Sequence, residues 1–171
     1  RIYELLMRLN LGVYMPTAYV FGSRLDKYNA TGASRNIGRR GRELGIRRLM
    51  GINLLKRLES SVYAFSLTLE RIAALVGQAI ERIDAHEAAC GGAWLDAAPD
   101  FADLDSDDQE LLASDAAEPG QIDLNDMDWK SWRRDLAADM TILEELKALT
   151  APITPEHDAK LQALLGAVVR Q

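Results

Sequence analysis

The sequence predicts an all-α fold, a helical bundle built on a long antiparallel helical hairpin with an irregular acidic connection. Three observations predict it. Leu55, Leu58, Val62, Phe65, Leu69, Ile72, Val76, Ala79 and Ile83 alternate by three and four, which on a helix draws one continuous apolar seam. A second run at helical spacing, Trp129, Trp132, Leu136, Met140, Leu143 and Leu146, gives that seam a partner. No segment shows convincing strand alternation, and no internal repeat is visible. With 171 residues and 48% hydrophobic content, the chain can bury one proper core.

The elements follow in order within a single helical domain, 1–171. Residues 1–50 hold short helices and a basic segment. Ile2, Leu5, Leu6 and Leu9 form the end of a helix that Gly12 interrupts. A second short helix is predicted from Pro16-Thr17 through Tyr19, Val20 and Leu25, since proline suits a first helical position. Asn29 to Ser34 is a loop. Arg35 to Met50 is basic and helix-compatible, with Ile37, Leu44, Ile46 and Leu49 as its apolar points. Gly38, Gly41, Gly45 and Gly51 weaken it by about 1 kcal/mol each relative to Ala, so a fraying start is expected.

Residues 51–90 are predicted as one long heptad helix whose seam runs roughly 43 Å at about 1.5 Å per residue. Cys90-Gly91-Gly92 ends it, because glycine takes a left-handed cap without steric cost. Residues 91–125 form an acidic loop broken by Pro99, Pro119 and Gly120. A return helix occupies 126–149, with Asp126 or Asp128 as its N-cap. After the break at Ala151-Pro152-Ile153, Thr154-Pro155-Glu156 opens a last helix over 154–171, its apolar face Leu161, Leu164, Leu165 and Val168.

Charge is divided along the chain. Residues 1–89 carry fourteen Lys/Arg against eight Asp/Glu, and residues 90–128 carry twelve acids and no base, within a net charge of -6. A basic half meets phosphate, and an acidic stretch covers it or stays solvated. The longest uncharged apolar stretch is far short of a bilayer span, so no membrane partner is expected. Arg1 opens in mid-pattern without a signal-peptide core, the reading of a segment from a larger cytoplasmic protein. The single cysteine, Cys90, excludes an internal disulfide and fits a reducing compartment, which leaves the sequon Asn29-Ala30-Thr31 idle.

No catalytic constellation emerges. The chain has no Gly-rich phosphate loop followed by Lys-Ser/Thr, no Asp-Glu box and no nucleophile beside a base. His86-Glu87-Ala88-Ala89-Cys90 mimics a zinc-protease helix, but a third ligand is missing and His157 lies in a different helix. A solvated helix terminus is the expectation there, with no metal ligand assigned. Trp129 and Trp132 read as packing anchors rather than a base-stacking platform. The functional candidates are cations: Arg35, Arg39, Arg40, Arg42, Arg47 and Arg48, joined by Lys56 and Arg57, as contacts to nucleic-acid phosphates. The bland alternative is a solvated face with ion pairs to the acidic loop.

Leu54-Leu55-Lys56-Arg57-Leu58-Glu59-Ser60-Ser61, followed by Ala64-Phe65 and Thr68-Leu69-Glu70-Arg71, resembles a signature of large bacterial superfamily-two helicases of Swi/Snf type. In those proteins such a segment lies between two RecA-like ATPase lobes. Tyr14-Met15-Pro16-Thr17-Ala18-Tyr19 resembles the start of the same insertion, and Ile153-Thr154-Pro155-Glu156-His157-Asp158-Ala159-Lys160-Leu161 resembles the helix before the second lobe. The resemblance implies a parent enzyme that uses ATP and Mg to translocate on double-stranded DNA. None of its catalytic motifs falls in this chain, and no cofactor is expected here. Implied partners are duplex DNA, the ATPase lobes of the same polypeptide and a further protein partner. The competing expectation is a free-standing helical or coiled-coil interaction adaptor. A small metallohydrolase is the remotest alternative.

Overall fold

A computed structural model describes residues 1–29, 39–89, 94–95 and 122–153. The fold is all-α. Among the described residues five helices carry it: α1 (Ile2–Arg8), α2 (Leu25–Asn29), α3 (Arg39–Ser60), α4 (Val62–Ala88) and α5 (Trp129–Thr150). Single turns of 3-10 helix at Gly12–Tyr14, Pro16–Tyr19, Gly22–Arg24 and Leu124–Asp126 connect them.

The predicted hairpin is α4 against α5. His86 meets Trp129, Asp84 meets Arg133, and the Met140 methyl would lie 3.7 Å from a Cβ built on Gly77, so one helix descends as the other ascends. Phe65, Leu69, Ile72, Val76 and Ile83 are fully buried on α4, as are Trp132, Leu136, Leu143 and Leu146 on α5. Burying each such side chain stabilises the fold by roughly 1.5–3 kcal/mol. Asp128, one of the two expected caps, starts α5 by accepting from the Ser131 amide at 3.1 Å. Asp126 is instead buried in the preceding turn.

The single long helix over 51–90 is corrected. It breaks at Ser61, which has φ -156° and ψ 123° and accepts a hydrogen bond from the Ala64 amide through its hydroxyl. A serine hydroxyl competes for backbone amides and therefore favours a cap over a helix interior. The helix before the break extends back to Arg39 and is continuous through Gly41, Gly45 and Gly51. A Cβ at Gly45 or Gly51 would meet nothing within 4 Å, so these glycines weaken the helix without shaping its packing. The break also changes the buried face. On α3 the buried positions are Glu43, Ile46, Met50, Asn53 and Leu54, while the seam residues Leu55 and Leu58 are only half-buried.

Three further expectations change. The helix from Pro16 through Leu25 is replaced by two 3-10 turns and an extended Val20 bridged to Met127, with α2 confined to Leu25–Asn29. The first helix ends before Gly12, at Arg8 with an extended Leu9 as its cap; Leu11 adopts φ 53°, and Gly12 opens the turn that follows. The acidic loop 91–125 has a structured end: β2 (Ile122–Asp123) pairs antiparallel with β1 (Trp94–Leu95), and Ile122 and Leu124 are fully buried. The loop at 30–34, Cys90-Gly91-Gly92, the middle of the acidic stretch and the 154–171 helix lie outside the described residues. Buried side chains from all five helices join one apolar cluster. Among the described residues, no helix is long and apolar enough to cross a membrane.

Candidate nucleic-acid interface

The helix α3 positions seven of the eight candidate cations, and their surroundings divide them. Arg39 turns inward. It pairs with Glu43 at 3.2 Å, with side chains 14% and 10% exposed. Arg47 donates to the Asn10 carbonyl at 2.6 Å and to its side-chain oxygen at 3.1 Å. Arg42 and Arg57 are half-buried. Arg40, Arg48 and Lys56 are exposed, and Arg35 lies outside the described residues.

The exposed cations lie on one winding ridge. Arg40, Leu44, Arg48, Ile52 and Lys56 follow each other at steps of four, each about 6 Å further along the helix and about 40° further round it, so the row turns by about 160° across the outer side of α3. The ridge spans roughly 24 Å from Arg40 to Lys56. Leu44 is 39% exposed and Ile52 50%, so the cations alternate with uncovered aliphatic groups. Arg39 and Arg47 therefore serve the interior, and of the candidate cations Arg40, Arg48 and Lys56 are left on the outer surface.

The inward cations belong to a buried polar lock over residues 10–19. Glu43 accepts from the Thr17 amide at 2.9 Å and from its hydroxyl at 2.5 Å. Asp139 on α5 accepts from the Asn10 amide at 2.7 Å and the Gly12 amide at 2.9 Å. The Trp132 indole donates to the Gly12 carbonyl at 3.0 Å, and Tyr19 donates to Asp135 at 2.9 Å. Burial raises the Glu43 carboxyl above its usual range, against the lowering effect of Thr17 and Arg39. Burial likewise raises Asp139, opposed by the two amides and by Arg47. Tyr19 is pushed up by burial and by its bond to Asp135. At the edge of the lock, hydrogen bonds from Lys27 and Tyr28 lower Asp126.

These acids were missed as structural residues in the sequence, although their spacing carries the signal. Glu43 precedes Ile46 by three, and Asp139 lies three after Leu136 and four before Leu143. A carboxylate in the apolar stripe of a helix must find donors inside the fold. The expected solvated terminus at His86 is also corrected. His86 is 4% exposed, with its ring edge-on to Trp129 at 5.8 Å, because the end of α4 is covered by the start of α5. Trp132 is a fully buried packing anchor and Trp129 a half-buried one. Among the described residues, no group of three or more His, Cys, Asp or Glu is placed to hold a metal ion.

No protein-family model matches the chain, no curated protein matches it, and no solved structure matches the fold.

Proposed function

We propose that this chain is the non-catalytic helical insertion of a Swi/Snf-like DNA-dependent ATPase, which contacts duplex DNA through α3 and couples the lobes on either side. The observation that carries the reading is the position of α1. Arg1 forms an ion pair with Glu145, near the last turn of α5, so the first described helix starts beside the end of the last. Adjacent ends are compatible with a domain set between two others and are common among domains generally. The resemblance at Leu54–Ser61 supports the same reading, since this string forms the last turns of α3 and the cap of α4. ATP and Mg would belong to the parent enzyme, with no step assigned to residues of this chain.

The cationic row supplies the DNA contact. Neutralising a phosphate releases counterions, so affinity falls with salt in proportion to the contacts made. Fluorescence anisotropy with a short duplex should show salt-dependent binding. Replacing Arg40, Arg48 and Lys56 together by Ala should flatten the log-log salt slope by about 2.7, at about 0.9 per contact. An unchanged slope would remove the row from the interface. In the parent enzyme, full DNA-stimulated ATPase after deletion of residues 55–149 would sink the coupling role. The rival adaptor reading has its own observation in Leu44 and Ile52, which phosphate contact does not use. Salt-insensitive capture of a protein, lost on Leu44→Ser and Ile52→Ser, would favour it.

A further inference from the structure

Ser61 is the only residue that covalently joins two halves of the described fold. Residues 1–60 hold α1, the turns, α2 and α3; residues 62–153 hold α4, the β pairing and α5. Their other links are non-covalent, among them Asp139 to Asn10 and Gly12, Trp132 to Gly12, Tyr19 to Asp135, and the Val20–Met127 bridge. A second copy can supply every one of these links, the condition for exchange of identical elements between protomers.

The sequence also encodes a different path through the hinge. The three-four repeat runs in register across Ser61, from Leu55 and Leu58 to Val62 and Phe65. In the bent chain the seam is buried only beyond the break. Phe65 and the seam residues after it are buried, whereas Leu55, Leu58 and Val62 are half-buried. These three lie around the hinge, where two continuous helices would cross in a symmetric exchange.

We infer that Ser61 is a switch hinge: the chain has a second state in which α3 and α4 form one continuous helix and residues 1–60 are exchanged with a second copy. Exchange preserves the contacts between halves and trades the Ser61 cap for an unbroken seam through Leu55, Leu58 and Val62. Cap strength at Ser61 therefore sets the balance. This inference stands independently of any DNA contact.

The test combines oligomeric state with one distance in the 171-residue chain. Spin labels at Leu44 and Gln78, both exposed, stand roughly 51 Å apart along a continuous helix and closer in any bent chain. Ser61→Ala removes the cap and should raise the dimer-to-monomer ratio on the order of fivefold, with the long distance appearing in the dimer fraction. Ser61→Asp keeps a strong cap and should hold the chain monomeric and bent. If Ser61→Ala does not fold, the native chain concentrated to millimolar levels is read by the same two measurements. A Ser61→Ala or concentrated native chain that stays monomeric overturns the inference. So does a dimer that retains the short distance, because it would associate through an outer surface without opening the hinge.

Discussion

The helix α5 has two neighbours and meets them by different chemistry. Toward α4 it presents an apolar seam in which Leu136 and Leu143 are fully buried, flanked by the surface ion pair of Arg133 with Asp84. Toward residues 10–19 it presents Trp132, Asp135 and Asp139, each of which hydrogen-bonds a particular partner. The first interface follows from periodicity alone, and many apolar side chains of similar size would maintain it. The second selects one backbone path, because two amides must converge on one carboxylate. Area holds the hairpin together, and buried polar groups fix the irregular segment laid on it.

The contrast can be broken most severely from the apolar side. Phe65→Ala removes a fully buried ring and should cost about 3–5 kcal/mol in chemical denaturation. A loss below about 1 kcal/mol would mean that the seam does not carry the hairpin.

A smaller but more particular loss is expected from the polar side. Asp139→Ala leaves the Asn10 and Gly12 amides without their acceptor and should cost about 2–4 kcal/mol. Its pH dependence sharpens the comparison. Burial raises the Asp139 carboxyl, so the folded chain keeps that proton to higher pH than the unfolded chain does. The stability tied to Asp139 is complete below the ordinary carboxylate range and declines as pH rises through the raised value. Urea titrations of native and variant protein should thus differ more at pH 3.5 than at pH 7. The reverse order would mean that the two amides outweigh desolvation.

The smallest effect belongs to the surface pair. Asp84 and Arg133 are 46% and 41% exposed at the side chain, so a double-mutant cycle should give a coupling below about 1 kcal/mol. A larger value would show that the hairpin register also depends on charge.

The same division explains what the sequence made legible. The seam from Phe65 to Ile83 and its partner from Trp132 to Leu146 were readable, because burial along a regular helix repeats. The break at Ser61 was hidden by that same repeat, which continues in register across it, while two consecutive serines were the contrary local signal. The turns at 12–19 were illegible as turns, since their path is set by Glu43 and Asp139, 26 residues and more than a hundred residues away. Of the candidate cations, Arg40, Arg48 and Lys56 stand on the outside. Nothing local to Arg39 or Arg47 marked them as partners of an interior that forms only when distant segments meet.

The pairing of Trp94 with Asp123 and of Leu95 with Ile122 has an engineering consequence. It fixes the two ends of the acidic stretch side by side, so sequence threaded between them starts and finishes at one address. In general, doubling the length of a loop closed at fixed ends costs only about 0.6 kcal/mol in closure entropy. The hairpin therefore offers a splice point where foreign sequence can be inserted while α4 and α5 keep their register.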